Sequence, residues 1–176
     1  MKILILYAST HGATKLCAEK LALALGSETE AVDVNDFFGS PAQYNGIIIG
    51  TSVYGGRILK EIKAYCKENM SILLQKPFAV FFSCLSERET TVNEYLKQNF
   101  PPELAGHAAA CESFGGAFYF KKLNPLERAV DKKIASIYAK SSGIPAPDGK
   151  SDFSTISDER INAFAQKINS AFGKAS

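Results

Sequence analysis

The chain has 176 residues, 46% of them hydrophobic, and a formal net charge of +2. That size fits one domain with an ordinary globular core, and so small a charge excludes the strong basic field of a nucleic-acid binder. No apolar run in the sequence approaches the roughly 18 residues of a membrane span. Lys2 is followed by only a short apolar stretch, so no secretory leader is expected and the default location is the cytoplasm.

Strands and helices alternate along the chain. Residues 2–8 predict a continuous apolar strand of the kind buried on both faces. Residues 14–25 predict a helix with the stripe Leu16, Cys17, Leu21, Ala24 and Leu25, ended by Gly26. Short strands follow at Ala31–Val34 and at residues 46–50. Ile58–Asn69 predicts a helix with Ile58, Ile62, Tyr65 and Cys66 on one side. Phe78–Ser83 is a fourth strand, and Thr90–Asn99 a helix closed by Pro101 and Pro102. Ala108–Phe118 carries a fifth strand broken near Gly115-Gly116.

The last third is different. Asn124-Pro125-Leu126-Glu127 combines an N-cap, a proline at the first helical position and an acid at the third. Leu126, Val130, Ile134, Ile137 and Tyr138 then share one face. Residues 141–151 have loop composition. Ser157 or Asp158 caps a final helix with the stripe Ile161, Phe164, Ala165, Ile168 and Phe172.

The cysteines, Cys17, Cys66, Cys84 and Cys111, have neither Cys-x-x-Cys nor zinc spacing, so no metal site is expected. Cys17 and Cys66 fall in helices and read as buried thiols; Cys84 falls in a loop after a strand. His11 and His107 are isolated, and a lone His is more often structural than catalytic.

Strands separated by helices imply βαβ units, a parallel sheet and right-handed crossovers. Ligands in such folds bind beyond the C-terminal strand ends, where strand order reverses. Three loops, 9–14, 51–57 and 83–90, should gather at that edge, each rich in Ser, Thr and Gly. In the first, Ser9, Thr10 and Thr14 offer hydroxyls, Gly12 permits close approach, and a helix N-terminus presents free amides to an anion. It is neither a Walker A motif nor Gly-x-Gly-x-x-Gly. In the second, Tyr54 offers a flat face beside Gly55 and Gly56. One phosphate loop and two ring-binding loops describe a mononucleotide site. A receiver domain alternates similarly, but needs acids at the end of the first strand, where this chain has Tyr7-Ala8-Ser9.

These segments resemble flavodoxin-like FMN proteins. The matching pieces are Ile-Leu-Tyr-Ala-Ser-Thr-His-Gly-Ala-Thr at 5–14, Gly-Thr-Ser-Val-Tyr-Gly-Gly-Arg-Ile-Leu at 50–59, Ser-Phe-Gly-Gly-Ala-Phe at 113–118 and Lys-Leu-Asn-Pro-Leu-Glu-Arg-Ala at 122–129. More narrowly, the chain is similar to the flavodoxin-domain family that includes the menaquinone-dependent protoporphyrinogen dehydrogenases of bacteria. The resemblance implies an α/β fold over residues 1–176: a doubly wound five-stranded parallel sheet in the order 2-1-3-4-5, with an extra helix between the fifth strand and the last helix. It implies FMN as cofactor. Ser9, Thr10, His11, Gly12, Ala13 and Thr14 would wrap the phosphate; Thr51, Ser52, Val53, Tyr54 and Gly55 would line one side of the isoalloxazine; Ser83, Cys84, Leu85 and Ser86 would line the other.

The chain departs from carrier flavodoxins in its lack of acidic charge, in His11 and Ala13 where carriers have Thr and Asn, and in the insertion at 119–156. An amphipathic helix there ordinarily packs its stripe on its own domain. Its flanking Lys121, Lys122, Arg128, Lys132, Lys133 and Lys140 could instead meet an anionic lipid surface or a carboxylate-bearing substrate.

Three functions follow from the resemblance. The first is an FMN-dependent oxidoreductase of haem biosynthesis that takes electrons from a porphyrinogen and passes them to a quinone, with the flavin doing the chemistry and no side-chain catalyst required. The second is an electron carrier that meets a redox protein partner. The third is a non-redox binding module. Membrane contact would be at most peripheral, on the inner face.

Overall fold

The structure, a computed structural model, describes residues 1–86, 88–142 and 146–173. In chain order the elements are β1 (Ile3–Ala8), α1 (Ala13–Leu25), β2 (Thr29–Asp33), a 3-10 turn (Pro41–Gln43), β3 (Gly46–Tyr54), β4 (Arg57–Ile58), α2 (Lys60–Glu68), α3 (Met70–Leu73) and β5 (Phe78–Ser83). They continue with α4 (Glu89–Asn99), α5 (Pro102–His107), β6 (Ala110–Ser113), β7 (Ala117–Phe118), a second 3-10 turn (Phe120–Lys122), α6 (Pro125–Ser142), β8 (Phe153–Ser154) and α7 (Asp158–Gly173).

Period-two alternation explains how one apolar run serves two cores. Leu4, Leu6, Ile47, Ile49, Val80 and Phe82 point to one face, where Ile62, Leu73, Val92 and Leu104 of α2–α5 cover them. Ile3, Ile5, Ile48, Ala79 and Phe81 point to the other, under Cys17 and Leu21 of α1 and the α7 stripe. That stripe, Ile161, Phe164, Ala165, Ile168 and Phe172, is buried throughout. Burying each of its larger side chains is worth on the order of 1.5–3 kcal/mol.

The strands run β2-β1-β3-β5-β6, all parallel, with β4 antiparallel to the tip of β3. Counted among themselves, the five parallel strands have the expected order 2-1-3-4-5. Strand order reverses between β1 and β3, which places the ligand edge at their C-terminal ends.

Several elements differ from the sequence reading. The third strand does not stop at residue 50 but continues to Tyr54 and turns back through β4, so Ile58 is a strand residue rather than a helical one. Pro102 does not simply close α4; it opens α5 at a position where its missing N–H does no harm. In α1, Ala24 is exposed and Leu16 only half-buried, and the buried positions are Thr14, Cys17, Ala18 and Leu21. Helix α6 runs through Ser142, past the predicted loop start at 141; residues 143–145 of that loop lie outside the described residues.

The break at Gly115-Gly116 is present, and its product is a second sheet. β7 leaves the main sheet and pairs antiparallel with β8. Phe120, Leu123 and Ala135 bury together beneath Phe118 and Phe153 and seat α6 on this hairpin. The α6 start has the predicted capping box: the Glu127 amide donates to Asn124 Oδ1 at 2.9 Å, and the Asn124 amide donates to Glu127 Oε2 at 3.0 Å.

The expected packing of α6 holds at Tyr138, which meets Phe153 edge-on with ring centroids 6.5 Å apart, and is overturned at the other four positions. Leu126, Val130, Ile134 and Ile137 are exposed, and the helix docks through Asp131, Ala135 and Ala139 instead.

Candidate functional site

A cavity of about 330 Å³ opens at the C-terminal edge of the sheet, walled by all three predicted loops. From the first come Ser9, Thr10, His11, Ala13 and Thr14. The loop is held by the Gly12 amide, which donates to Ser9 Oγ at 3.1 Å, and Gly12 itself sits in the left-handed region at φ 99° as the N-cap of α1. No acidic residue occupies the first turn of α1, so its amides and the positive end of its dipole face the cavity uncompensated.

The second loop is a β-hairpin whose tip, Gly55-Gly56, has φ of 55° and 78°. Two consecutive positive φ angles describe the tight turn that matches strand twist, and glycine adopts them without a Cβ clash. Ser52, Val53, Tyr54 and Gly55 line the cavity, as does Gly56. Thr51 does not. Its hydroxyl is turned into the hairpin, where it donates to Ser52 O at 3.2 Å and accepts from the Leu59 amide at 3.4 Å. Gly12 lies behind the wall rather than on it. Thirteen of the fifteen predicted positions therefore meet at the cavity, and Gly12 and Thr51 shape it from behind.

Ser83, Cys84, Leu85 and Ser86 form the opposing wall. Ser113 at the end of β6 holds them: its hydroxyl donates to Cys84 O at 3.1 Å and stands 3.4 Å from Cys84 Sγ.

The sequence reading missed a second set of residues. Asn99 staples the hairpin to α4: its Oδ1 accepts from the Ile58 amide at 3.2 Å, and its Nδ2 donates to Gly56 O and Tyr95 O at 2.9 Å each. Tyr95, Gly116, Ala117, Phe118 and Ile134 complete the cavity. Asp131 is buried beside it; burial pushes its carboxyl up from the usual range, partly opposed by His11. Burial and the Asp131 charge together raise the Tyr54 phenol. Nothing local in the sequence marks Asp131, which differs from its neighbours on α6 only by the face it occupies.

Thr14 Oγ1 is buried on the cavity wall and has no hydrogen-bond partner among the described residues. A buried donor without a partner costs free energy that a ligand oxygen would restore. The donor set is neutral, with hydroxyls and helix amides on one side and an apolar slot beside Tyr54 on the other. That suits a phosphorylated planar molecule.

Residues 4–143 match the family described as Flavodoxin domain. The chain belongs to the flavodoxin-domain family. The match spans the three site loops and all of α6. Protoporphyrinogen IX dehydrogenase [quinone] of Leishmania major is 28% identical to this flavodoxin-domain chain over 153 residues, 77% of this chain and 63% of that protein's length. A short-chain flavodoxin associated with a PDU-type bacterial microcompartment superposes over 100% of both chains with a TM-score of 0.57 and 14% identity. Rubredoxin:oxygen oxidoreductase of Desulfovibrio gigas gives a TM-score of 0.51 and 14% identity over 98% of this chain and 36% of its own. At those identities the two structures share the fold with this flavodoxin-domain protein. No helix among its described residues is long and apolar enough to cross a membrane.

Proposed function

We propose that the protein binds FMN and works as an oxidoreductase of the protoporphyrinogen dehydrogenase type, passing electrons from a porphyrinogen to a quinone. The first loop and the α1 N-terminus would hold the phosphate, with Thr14 Oγ1 finding its missing partner there. The 51–55 and 83–86 segments would hold the ring between Tyr54 and Leu85. Bound FMN would supply the hydride chemistry; the side chains bind, orient and keep water out.

The observation that carries the substrate-level reading is that β7 and α6 enter the cavity wall through Phe118 and Ile134. The inserted segment thus adds apolar side chains to the wall of the site, which supports a substrate with a large ring system over a contact with a redox protein alone. The name of the Leishmania relative supports the same direction. The protein would act in the cytoplasm, with peripheral contact at the inner face of a membrane where the quinone is held in one.

The test is anaerobic turnover. FMN-loaded protein is mixed with protoporphyrinogen IX and a quinone, and porphyrin fluorescence is followed. Fluorescence should grow only when protein, FMN and quinone are all present. Flavin retention without porphyrin formation, together with electron transfer to a redox protein, would replace the dehydrogenase reading with the carrier.

A further inference from the structure

Helix α6 presents its apolar side to solvent. Leu126 is 76% exposed, Val130 51%, Ile134 44% and Ile137 62%. Helical periodicity puts the four on one stripe, about 16 Å from end to end at 1.5 Å rise per residue. A contiguous apolar strip of this kind on a surface marks something that covers it. Lys133 and Lys140 flank it on one side and Glu127 on the other, by the same periodicity.

Two occupants fit poorly. A second copy held by this strip alone, about 16 Å long and roughly one helix diameter of ~10 Å wide, buries far less than the ~800 Å² per partner of a stable interface. Anionic lipid would meet Lys133 and Lys140 on one flank of the stripe but Glu127 on the other, while Arg128 is engaged by the Phe120 and Leu123 carbonyls and the Lys132 stem lies against Gly149. A third occupant is pointed to by continuity. Ile134 belongs both to the stripe and to the cavity wall that also holds Tyr54 and Phe118, so the cavity and the stripe are continuous through that side chain.

We infer that the exposed stripe of α6 is the track for the prenyl tail of a quinone whose ring sits at the cavity mouth. The inference rests on the quinone acceptor of the function proposed above. From Ile134 the tail runs over Val130 to Leu126, about 12 Å away at 1.5 Å rise per residue, a length that matches roughly two isoprene units built from C–C bonds of ~1.5 Å. At the mouth the quinone accepts a hydride and a proton from reduced flavin and leaves as the hydroquinone, and the flavin returns to its oxidised form. The stripe supplies affinity and selects tailed quinones; it takes no part in the transfer.

The experiment uses FMN-loaded, isoleucine- and valine-methyl-labelled protein in the oxidised state. It is titrated with menadione and with the same ring carrying a geranyl chain, and methyl NMR shifts and Kd are read. The tailed quinone should bind about tenfold tighter or better; the Ile134 methyl should shift with both quinones and the Val130 methyls only with the tailed one. An L126S/V130S double variant, altered at exposed positions, should lose that gain and keep the menadione Kd. Equal affinities for the two quinones would overturn the tail track while leaving the acceptor reading standing. Binding of neither would remove both. Stripe methyls that shift with phosphatidylglycerol vesicles alone, or with protein concentration alone, would hand the face to a lipid surface or to a second copy and overturn the inference.

Discussion

Replacing Thr14 with valine separates what its hydroxyl costs the empty protein from what it gives the loaded one. Thr14 is 1% exposed, and its Oγ1 has no partner among the described residues. A buried, unpartnered hydroxyl costs roughly 1–3 kcal/mol. Valine keeps the branched shape and removes the polar atom, so the flavin-free variant should be more stable by about that amount. For a chain of this size each kcal/mol moves Tm by about 2–4 °C. In the loaded protein the same hydroxyl would donate to a charged phosphate oxygen, a bond worth roughly 1.5–3 kcal/mol. Thr14→Val should then weaken FMN binding about ten- to a hundredfold, and leave riboflavin, which lacks the phosphate, unchanged. Calorimetric melting of the flavin-free protein and fluorescence titration with both flavins read the two effects. A variant that melts lower when empty, or that loses FMN and riboflavin affinity equally, would refute the placement of Thr14 at the phosphate.

Burial raises the Asp131 carboxyl above its unfolded value, so the native state holds that proton more tightly and stability falls as pH rises through the raised value. Asp131→Asn should therefore melt above wild type near about pH 7 and lose its advantage toward about pH 4; a constant gap across that range would show that the carboxyl does not titrate with folding. Asn99→Ala removes three hydrogen bonds that tie the hairpin to α4. It should cost about 2–3 kcal/mol and speed hydrogen exchange at the Ile58 amide. Gly115 has φ 91°, and a Cβ there would stand 2.1 Å from Thr155 O. Gly115→Ala should cost more than about 2 kcal/mol in urea unfolding. Burial pushes the Cys17, Cys66 and Cys111 thiols up to about 12, so all three should resist iodoacetamide at neutral pH in the native protein and react once it is unfolded.

The framework was legible because its signals are local and redundant. β1 and β5 are apolar runs buried on both faces, and a run of that kind bounded by polar residues has few other readings. The α7 stripe and the Asn124–Glu127 capping box were read residue by residue, since both depend on spacing within two turns. The failures were tertiary. β4 and β8 are two-residue strands that exist only because a partner strand pairs with them, and neither Arg57-Ile58 nor Phe153-Ser154 carries a strand signal of its own. α5 was lost because Pro102 stops one helix and starts the next with equal ease.

The site divides along the same line. Residues on the strand-end loops came from chain order alone, because parallel βαβ units must deliver those loops to one edge. Asn99, Ser113 and Tyr95 come from elements that pack against the loops, and no spacing rule links Asn99 to Gly56. Helix α6 is the instructive case. Its stripe was read correctly, yet the rule that apolar faces turn inward gave the wrong orientation. Ala135 and Ala139 offer less apolar area than Leu126, Val130, Ile134 and Ile137, so burial by itself favours the opposite docking. What sets the observed one is the Phe120, Leu123 and Ala135 contact with the β7–β8 hairpin, together with two backbone anchors: Arg128 Nε donates to Phe120 O at 3.1 Å, and its Nη2 to Leu123 O at 3.4 Å. A helix held in this orientation against its own hydrophobic preference keeps an apolar surface beside the cavity. A ligand lying on that surface, as inferred above, would offset that cost.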